Sequence, residues 1–542
     1  MQLRFKHAFT VMLMSALPAH AADIAIPTPG AIQDSVNDRR PPTISTPAEV
    51  IYSTDPVAQD DEVSDDTKRF LVSGFAFEGN TVVPEAILQR ITERFLDLQL
   101  TLAELDRAAA DITAFYRDRG FTVARAFVPA QRIEDGLVTI QIIEGRLDSV
   151  AFKGNKWYRR NFLQSYVDKF STGKDGELVT DAALERRMLL LNDLPGLRAR
   201  ATLSPGDNFG TTKLDVDLTE KLFGASIGYS NSGRKEAGAN RVDMGVDLNN
   251  PLRLGDQLSL RSITSTGNLF KYKRVGYSFP IGAEGMRIAL STLTTDYELG
   301  GDFKALDISG KVRSSDATIS YPFVRTRSHN VIGALQYRKT TTQQDVFGQK
   351  FSNVSLPLSI ASLYMNWIGD DSSATAMNLG YSTNAWQNSD SPQEKVSSKL
   401  DGDLTYLTSA ARNWDFYMHT QGTYSSAALP DTEKFSLGGA DSVRGYPSAQ
   451  VRGDKGYLVS MEMRRQWRFA SVPGYVSMFV DTGGVNNKGF SGYDRISSVG
   501  LGVVMYAGSM ARLKAEYAVP LSETDASDGK NGRLWFNLNM AY

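Results

Sequence analysis

Arg444 lies in a run of turn-forming residues, Leu437-Gly438-Gly439-Ala440-Asp441-Ser442-Val443-Arg444-Gly445-Tyr446-Pro447, between two stretches that read as β-strands. Asp481 lies inside an apolar strand, Phe479-Val480-Asp481, and is followed by Thr482-Gly483-Gly484. A guanidinium on a loop tip and a carboxylate on a strand wall suit one kind of chemistry. They can form a bidentate ion pair, because the planar guanidinium fork matches the carboxylate geometry. Val443, Gly445 and Tyr446 would shape the tip, with Gly445 allowing backbone torsions that a side chain forbids. Phe479 and Gly483 flank the acid on the wall. The pair reads either as a staple that only holds a loop or as part of a device that moves.

Composition narrows the classes of function. The chain has 542 residues, a formal net charge of −2 and no cysteine. Near-neutrality gives no sign of a nucleic-acid partner. The missing thiols remove cysteine catalysis, disulfides and zinc-finger spacing. Of the four histidines, His7 and His20 fall in an N-terminal targeting segment, leaving His329 and His419. That is too little material for a Ser-His-Asp triad or a histidine metal site. No Gly-x-x-x-x-Gly-Lys-Ser/Thr phosphate loop occurs. The chain is read as no enzyme, with no cofactor and no metal.

Residues 1–21 read as a secretory signal peptide: Arg4 and Lys6, an apolar run from Phe9 to Leu17, then Ala19-His20-Ala21. No later apolar run approaches the roughly 18 residues of a spanning helix, so a membrane can be entered only as a β-barrel. Residues 22–40 hold one short helical candidate, Gly30 to Arg40, with Ile32 and Val36 on one face and Arg39 among its polar residues. It reads equally as a mostly polar helix or a solvated tail. Residues 41–68, with four prolines and an acidic run, read as a disordered linker.

Two small modules follow, at 69–146 and 147–220. The first runs β-α-α-β-β, with a capping box at Thr101 and Glu104 and an apolar helix face of Leu105, Ala109, Ile112 and Tyr116. The phrase Phe-x-Gly-Asn closes a strand in both, at Phe77-Glu78-Gly79-Asn80 and Phe152-Lys153-Gly154-Asn155, which marks an internal repeat. From Leu222 the helical period gives way to alternating strands such as Val242-Asp243-Met244-Gly245-Val246-Asp247-Leu248. One face is apolar and the other is Asp and Gly, as lipid on one side and a polar lumen on the other require. Residues 221–542 have room for about 16 strands of about 9–11 residues. The chain ends on Phe536, Leu538, Met540 and Tyr542, an alternating strand with a terminal aromatic.

The modules resemble POTRA domains, the periplasmic polypeptide-binding units of outer-membrane translocases. The closing phrase of the first is similar to that of two-partner secretion transporters. It runs from Tyr116-Arg117-Asp118-Arg119-Gly120-Phe121 through Val128-Pro129-Ala130-Gln131 to Ile143-Glu144-Gly145. The order of signal, helix, linker, two modules and barrel is similar to that of the TpsB (type Vb) family, which includes filamentous-haemagglutinin transporters and haemolysin secretion/activation proteins. The Leu-Gly-Gly…Val-Arg-Gly-Tyr motif is shared with a wider superfamily of assembly and secretion barrels.

The resemblance implies a transmembrane antiparallel β-barrel preceded by two periplasmic α+β POTRA domains and an N-terminal plug helix. It implies that Arg444 meets Asp481 on the inner barrel wall, and that the segment carrying Ile32, Val36 and Arg39 plugs the pore at rest. It implies export of an unfolded exoprotein of adhesin, haemolysin or contact-dependent toxin type, bound by the POTRA domains through β-augmentation. The implied partners are that client, outer-membrane lipid and the assembly machinery that reads the last strand. An outer-membrane assembly or insertase component stays open as the alternative, as does a passive pore or receptor.

Overall fold

The computed structural model describes residues 27–34, 50–52, 68–121, 123–168, 179–205, 211–369, 373–388, 391–469, 472–508 and 510–542. The expected signal peptide lies outside them. So do Val36, Arg39 and most of the expected linker.

A short helix α1 (Pro29–Asp34) and a short strand β1 (Val50–Tyr52) come first. The first module contains β2 (Phe70–Val72), β3 (Gly74–Glu78), α2 (Glu85–Thr92), β4 (Leu98–Leu100), α3 (Leu102–Asp118), β5 (Arg125–Phe127) and β6 (Leu137–Ile143). The single strand expected over Phe70 to Phe77 is broken at Ser73. Its first part pairs with β4, and its second runs parallel to β6. Thr101 and Glu104 form the reciprocal cap that starts α3. Leu105, Ala109, Ile112 and Tyr116 on that helix are buried against Val138, Ile140 and Ile142 of β6.

The second module contains β7 (Arg146–Lys153), α4 (Arg160–Ser165), α5 (Asp181–Asn192), β8 (Leu197–Pro205) and β9 (Thr211–Glu220). Its sheet has the order β1-β8-β9-β7. The first strand there comes from the expected disordered linker: Val50, Ile51 and Tyr52 run parallel to Ala201, Thr202 and Leu203. Among residues 41–68 this stretch is therefore ordered. Its Val-Ile-Tyr composition suits a strand and supplies an exposed edge with the pairing it lacks.

The Phe-x-Gly-Asn repeat has a physical cause. Gly79 and Gly154 have φ of +89° and +86°, and a Cβ on either would strike a backbone carbonyl, that of Ile142 or Leu218. The turn after each glycine presents N–H groups to one carboxylate. Glu144 accepts from Thr81 N at 2.8 Å and Val82 N at 2.9 Å, and Glu220 accepts from Trp157 N at 2.8 Å. Glu144 also accepts from the Tyr116 hydroxyl at 2.8 Å.

Sixteen antiparallel strands close the barrel. They begin with β10 (Phe223–Ser230), β11 (Arg241–Asn249), β12 (Gln257–Ser265), β13 (Phe270–Ile281), β14 (Met286–Glu298) and β15 (Ser309–Arg325). Next are β16 (His329–Val346), β17 (Gln349–Ile368), β18 (Ala374–Asn388), β19 (Ser391–Ala411) and β20 (Trp414–Tyr424). A long loop follows, holding the two-stranded β21 (Phe435–Leu437) and β22 (Val451–Gly453). The wall resumes with β23 (Lys455–Phe469), β24 (Val472–Asn486), β25 (Asp494–Ala507), β26 (Ala511–Pro520) and β27 (Arg533–Ala541).

The last strand closes on the first, with Tyr229 opposite Leu538 and Ile227 opposite Met540. Strands β15, β16, β17 and β19 have 17, 18, 20 and 21 residues. That exceeds the roughly 9–11 a bilayer needs, so this wall extends beyond the membrane. Large apolar residues such as Leu335, Tyr337, Val480 and Leu501 are exposed on the outside. Polar pairs line the inside, among them Arg261 Nε with Asp243 at 3.0 Å and Ser291 with Asp316 at 2.6 Å.

One consequence can be measured in the first module. Burial alone would raise the pKa of Glu144, but its hydrogen bonds from Thr81, Val82 and Tyr116 outweigh that and hold it below the usual carboxylate value. Its stabilisation is thus complete above the unfolded carboxylate pKa and is lost as pH falls through the depressed folded value. Glu144→Ala should cost about 2 kcal/mol locally, since charged hydrogen bonds are involved. Amide exchange at Thr81 and Val82 in the full chain should then accelerate by about thirtyfold at neutral pH. Unchanged exchange there would show that the carboxylate does not hold the turn.

Candidate functional site

The loop between β20 and β23 folds back into the lumen and brings Arg444 against the inner wall. The wall residues that meet it alternate with exposed outward residues: Ser460 and Glu462 flank Met461, Asp481 follows Val480, and Glu516 precedes Tyr517. Arg444 donates from Nε to Asp481 Oδ2 at 2.9 Å and from Nη2 to Asp481 Oδ1 at 2.7 Å. This is the fork-on-carboxylate pair that the residue types permit. The backbone N–H of Arg444 adds a third bond to Asp481 at 3.1 Å, and Asp481 is fully buried.

Two further acids complete the arrangement. Arg444 Nη1 donates at 2.7 Å to both Glu462 Oε1 and Glu516 Oε1. Arg464 Nε binds the other oxygen of Glu462 at 2.8 Å, and Lys514 Nζ lies 2.8 Å from the other oxygen of Glu516. Three cations thus face three carboxylates, so the buried cluster is neutral in sum. The sequence reading missed Glu462 and Glu516. Both carry the signal that marks Asp481, an acid inside an apolar strand, in Met461-Glu462-Met463 and Ala515-Glu516-Tyr517.

The flanking positions differ in their work. The Phe479 ring lies under the guanidinium, 3.3 Å from centroid to Cζ. Gly500, opposite it on β25, leaves that ring its space. Gly483 lets Leu437 of the loop approach, since a Cβ there would come within 2.8 Å of the leucine side chain. Val443 and Tyr446 are buried in an apolar cluster with Leu437, Leu458 and Ile496. Gly445 corrects the expectation of special torsions. Its φ lies outside the left-handed region, and the need is for room: a Cβ would lie 2.7 Å from Ser498 Cβ and 2.8 Å from Pro520 N. Trp535 Nε1 and Arg533 Nε bind the carbonyls of Arg444 and Gly445, at 2.7 and 3.1 Å. Among the described residues no group of His, Asp and Glu is arranged to hold a metal ion.

α1 also sits inside the lumen, at the end away from the modules. Gly30 N donates to Asp431 Oδ2 at 2.7 Å, and Thr28 Oγ1 to Asp431 Oδ1 at 3.0 Å. Arg452 Nη2 lies 3.1 Å from Asp34 Oδ2 and also pairs with Asp431. Both Asp431 and Arg452 belong to the loop that carries Arg444. Ile32, on the apolar side of this mostly polar segment, is fully buried among Phe270, Tyr272, Tyr297 and Phe303.

At the opposite end, α5 of the second module docks on the barrel turns. Arg325 forks onto Asp193 at 2.8 and 2.7 Å, and Arg187 meets Glu284 at 3.0 Å. Between the two ends lies a cavity of about 800 Å³, lined by Tyr166 and Leu190 of the module, by Asn330, Tyr364 and Asp403 of the wall, and by Phe435 of the loop.

The haemolysin secretion/activation protein ShlB/FhaC/HecB family matches residues 210–505, and the ShlB-type POTRA domain matches residues 70–145. The heme/hemopexin transporter protein HuxB of Haemophilus influenzae is 24% identical over 473 residues, covering 83% of each chain. The outer membrane transporter CdiB of Dickeya dadantii is 22% identical over 434 residues, covering 77% of this chain and 76% of its own. The solved structure of CdiB from Escherichia coli superposes with a TM-score of 0.70 at 18% identity, covering 90% of this chain and 93% of that one. The barrel therefore lies in the bacterial outer membrane with its modules in the periplasm, and the chain belongs to the ShlB/FhaC/HecB family of outer-membrane transporters.

Proposed function

We propose that this chain exports a cognate exoprotein, of adhesin, haemolysin or contact-dependent toxin type, from the periplasm to the cell surface through its own barrel. The observation that carries the reading is the cavity that runs from the second module to the base of the folded-back loop. Its lining includes polar residues such as Asn330, Asp403 and Gln421, it begins where a periplasmic client would arrive, and it ends against Phe435 of the folded-back loop. The names of the relatives, which include hemolysin transporters, agree with this.

In this reading Arg444 and Asp481 hold the loop closed, with Glu462 and Glu516 completing the charge balance, and α1 is the second stopper. The POTRA domains hold the client unfolded and extended. Edge pairing suits that task, and the chain's own Val50–Tyr52 already runs along β8 in this manner. The last strand, Arg533–Ala541, is the element that the outer-membrane assembly machinery reads. The other reading, a component that inserts other barrels, shares the loop motif and separates from export by experiment.

Two tests follow. Gly30→Val would drive its side chain into Arg452 and Asp431, whose atoms lie 2.5 Å from a Cβ at that position, and should expel α1. Arg444→Ala strands buried carboxylates at a cost of about 3–5 kcal/mol and should free the loop. Each should raise single-channel conductance in planar bilayers, and Arg444→Lys, which keeps the charge and loses the fork, should fall between Ala and wild type. Wild-type conductance in both Gly30→Val and Arg444→Ala would remove the two-stopper account. For export itself, a partner exoprotein should reach the medium only from cells that carry the chain, with the abundance of other barrels unchanged. Unchanged release with defective assembly of other barrels would establish the insertion reading instead.

A further inference from the structure

The outward face of β13 to β16 changes character along the strands. Its outward side is fixed by Val275, Leu290, Ile319, Leu335 and Tyr337, all large, apolar and exposed. Moving away from the modules, one cross-strand row reads Tyr277, Leu290, Ala317, Tyr337. Two residues further it reads Val275, Thr292, Ser315, Lys339, and then Lys273, Thr294, Arg313, Thr341. The row after that reads Lys271, Asp296, Lys311, Gln343. Apolar wall thus gives way to five cations and a set of hydroxyls within three rows on four neighbouring strands.

One carboxylate lies within these rows, Asp296, which pairs with Lys311 at 3.0 Å. Glu298 and Asp345 stand one row beyond, on either side of Ser309. Among the described residues no ion pair is formed by Lys271, Lys273, Arg313 or Lys339, and all four side chains are exposed. On β26 the outward side is still apolar at Val519, and on β25 it passes from Val499 through Ser497 to one cation, Arg495. The cationic rows are therefore a local feature and do not ring the barrel.

We propose that this patch binds the phosphorylated sugar headgroup of a lipopolysaccharide in the outer leaflet. The modules lie in the periplasm, so this end of β13 to β16 stands in the outer leaflet and above it. Lysine and arginine placed directly above an apolar belt lay their stems on acyl chains and present their charge to headgroup phosphates. Three steps between strands at about 4.8 Å, and two steps along a strand at about 7 Å, give a patch about 14 Å across each way. That is the footprint of one disaccharide headgroup with its phosphates. The threonine and serine hydroxyls between the cations suit sugar and phosphate oxygens.

The full chain, purified in detergent, can be tested by native mass spectrometry against diphosphoryl lipid A, the same lipid dephosphorylated, and phosphatidylglycerol. Each cation near a headgroup strengthens binding by about fivefold. Diphosphoryl lipid A should bind at least about tenfold more tightly than the other two lipids. The variant Lys271→Gln/Lys273→Gln/Arg313→Gln/Lys339→Gln should lose at least about tenfold of that affinity, and Arg495→Gln, off the patch, should lose none. Heat-modifiable gel mobility reports that the variant barrel is folded. If the fourfold variant does not fold, Lys273→Gln and Arg313→Gln are each read for about fivefold loss. Equal affinity for the dephosphorylated lipid or for phosphatidylglycerol, or full binding by the folded variants, overturns the proposal and leaves the export reading untouched.

Discussion

Removing the charge of Arg444 from water is the constraint around which the lumen is built. A buried guanidinium is tolerated only with its counter-charges in place, and the wall supplies three acids, two of them held in turn by Arg464 and Lys514. Such a cluster adds little net stability over an apolar plug of equal shape, yet losing one partner is costly. It therefore suits a closure that is either fully made or fully broken. The surroundings make breaking feasible. Beside the cluster the lumen is lined by Arg512, Asn537 and Asn539, so a departing arginine and the acids it leaves can be rehydrated, which a hydrocarbon core would forbid.

The barrel was legible where lipid meets one face and water the other. Val242 to Leu248 alternates strictly because β11 faces both. The alternation is weaker in the strands Gln257–Ser265, Phe270–Ile281, Ser309–Arg325 and Ser391–Ala411. Lys271-Tyr272-Lys273-Arg274 shows why. Its outward lysines stand at or above the headgroups and its inward Tyr272 packs in the apolar site of Ile32, so the pattern of apolar outside and polar inside is inverted there. In the same way Val50–Tyr52 has no pattern of its own. It becomes a strand only because β8 offers an edge, which is tertiary information.

At the loop the legible part was the pair that chemistry demands. Arg444 needed a carboxylate, and Asp481 was conspicuous in an apolar strand. Glu462 and Glu516 were equally conspicuous, but a single counter-charge had already satisfied the arginine on paper. What the sequence could not convey was the burial, which makes one carboxylate insufficient. Gly445 shows a similar limit. A glycine beside a functional residue suggests unusual torsions, whereas here the backbone simply passes too close to Ser498 and Pro520 for any side chain.

The folded-back loop and α1 are also one mechanical unit. Asp431 and Arg452, which hold Thr28, Gly30 and Asp34 of the N-terminal segment, lie in the same loop as Arg444. A loop displaced from the wall cannot keep both residues where α1 requires them. Conversely, departure of α1 leaves Asp431 and Arg452 with only each other and uncovers the apolar site of Ile32. Each event therefore lowers the cost of the other, and thermodynamic reciprocity makes the coupling equal in both directions. On the proposed export reading, a client that competes with either the loop or α1 would loosen both, and the barrel would stay sealed against small solutes until a polypeptide engages it.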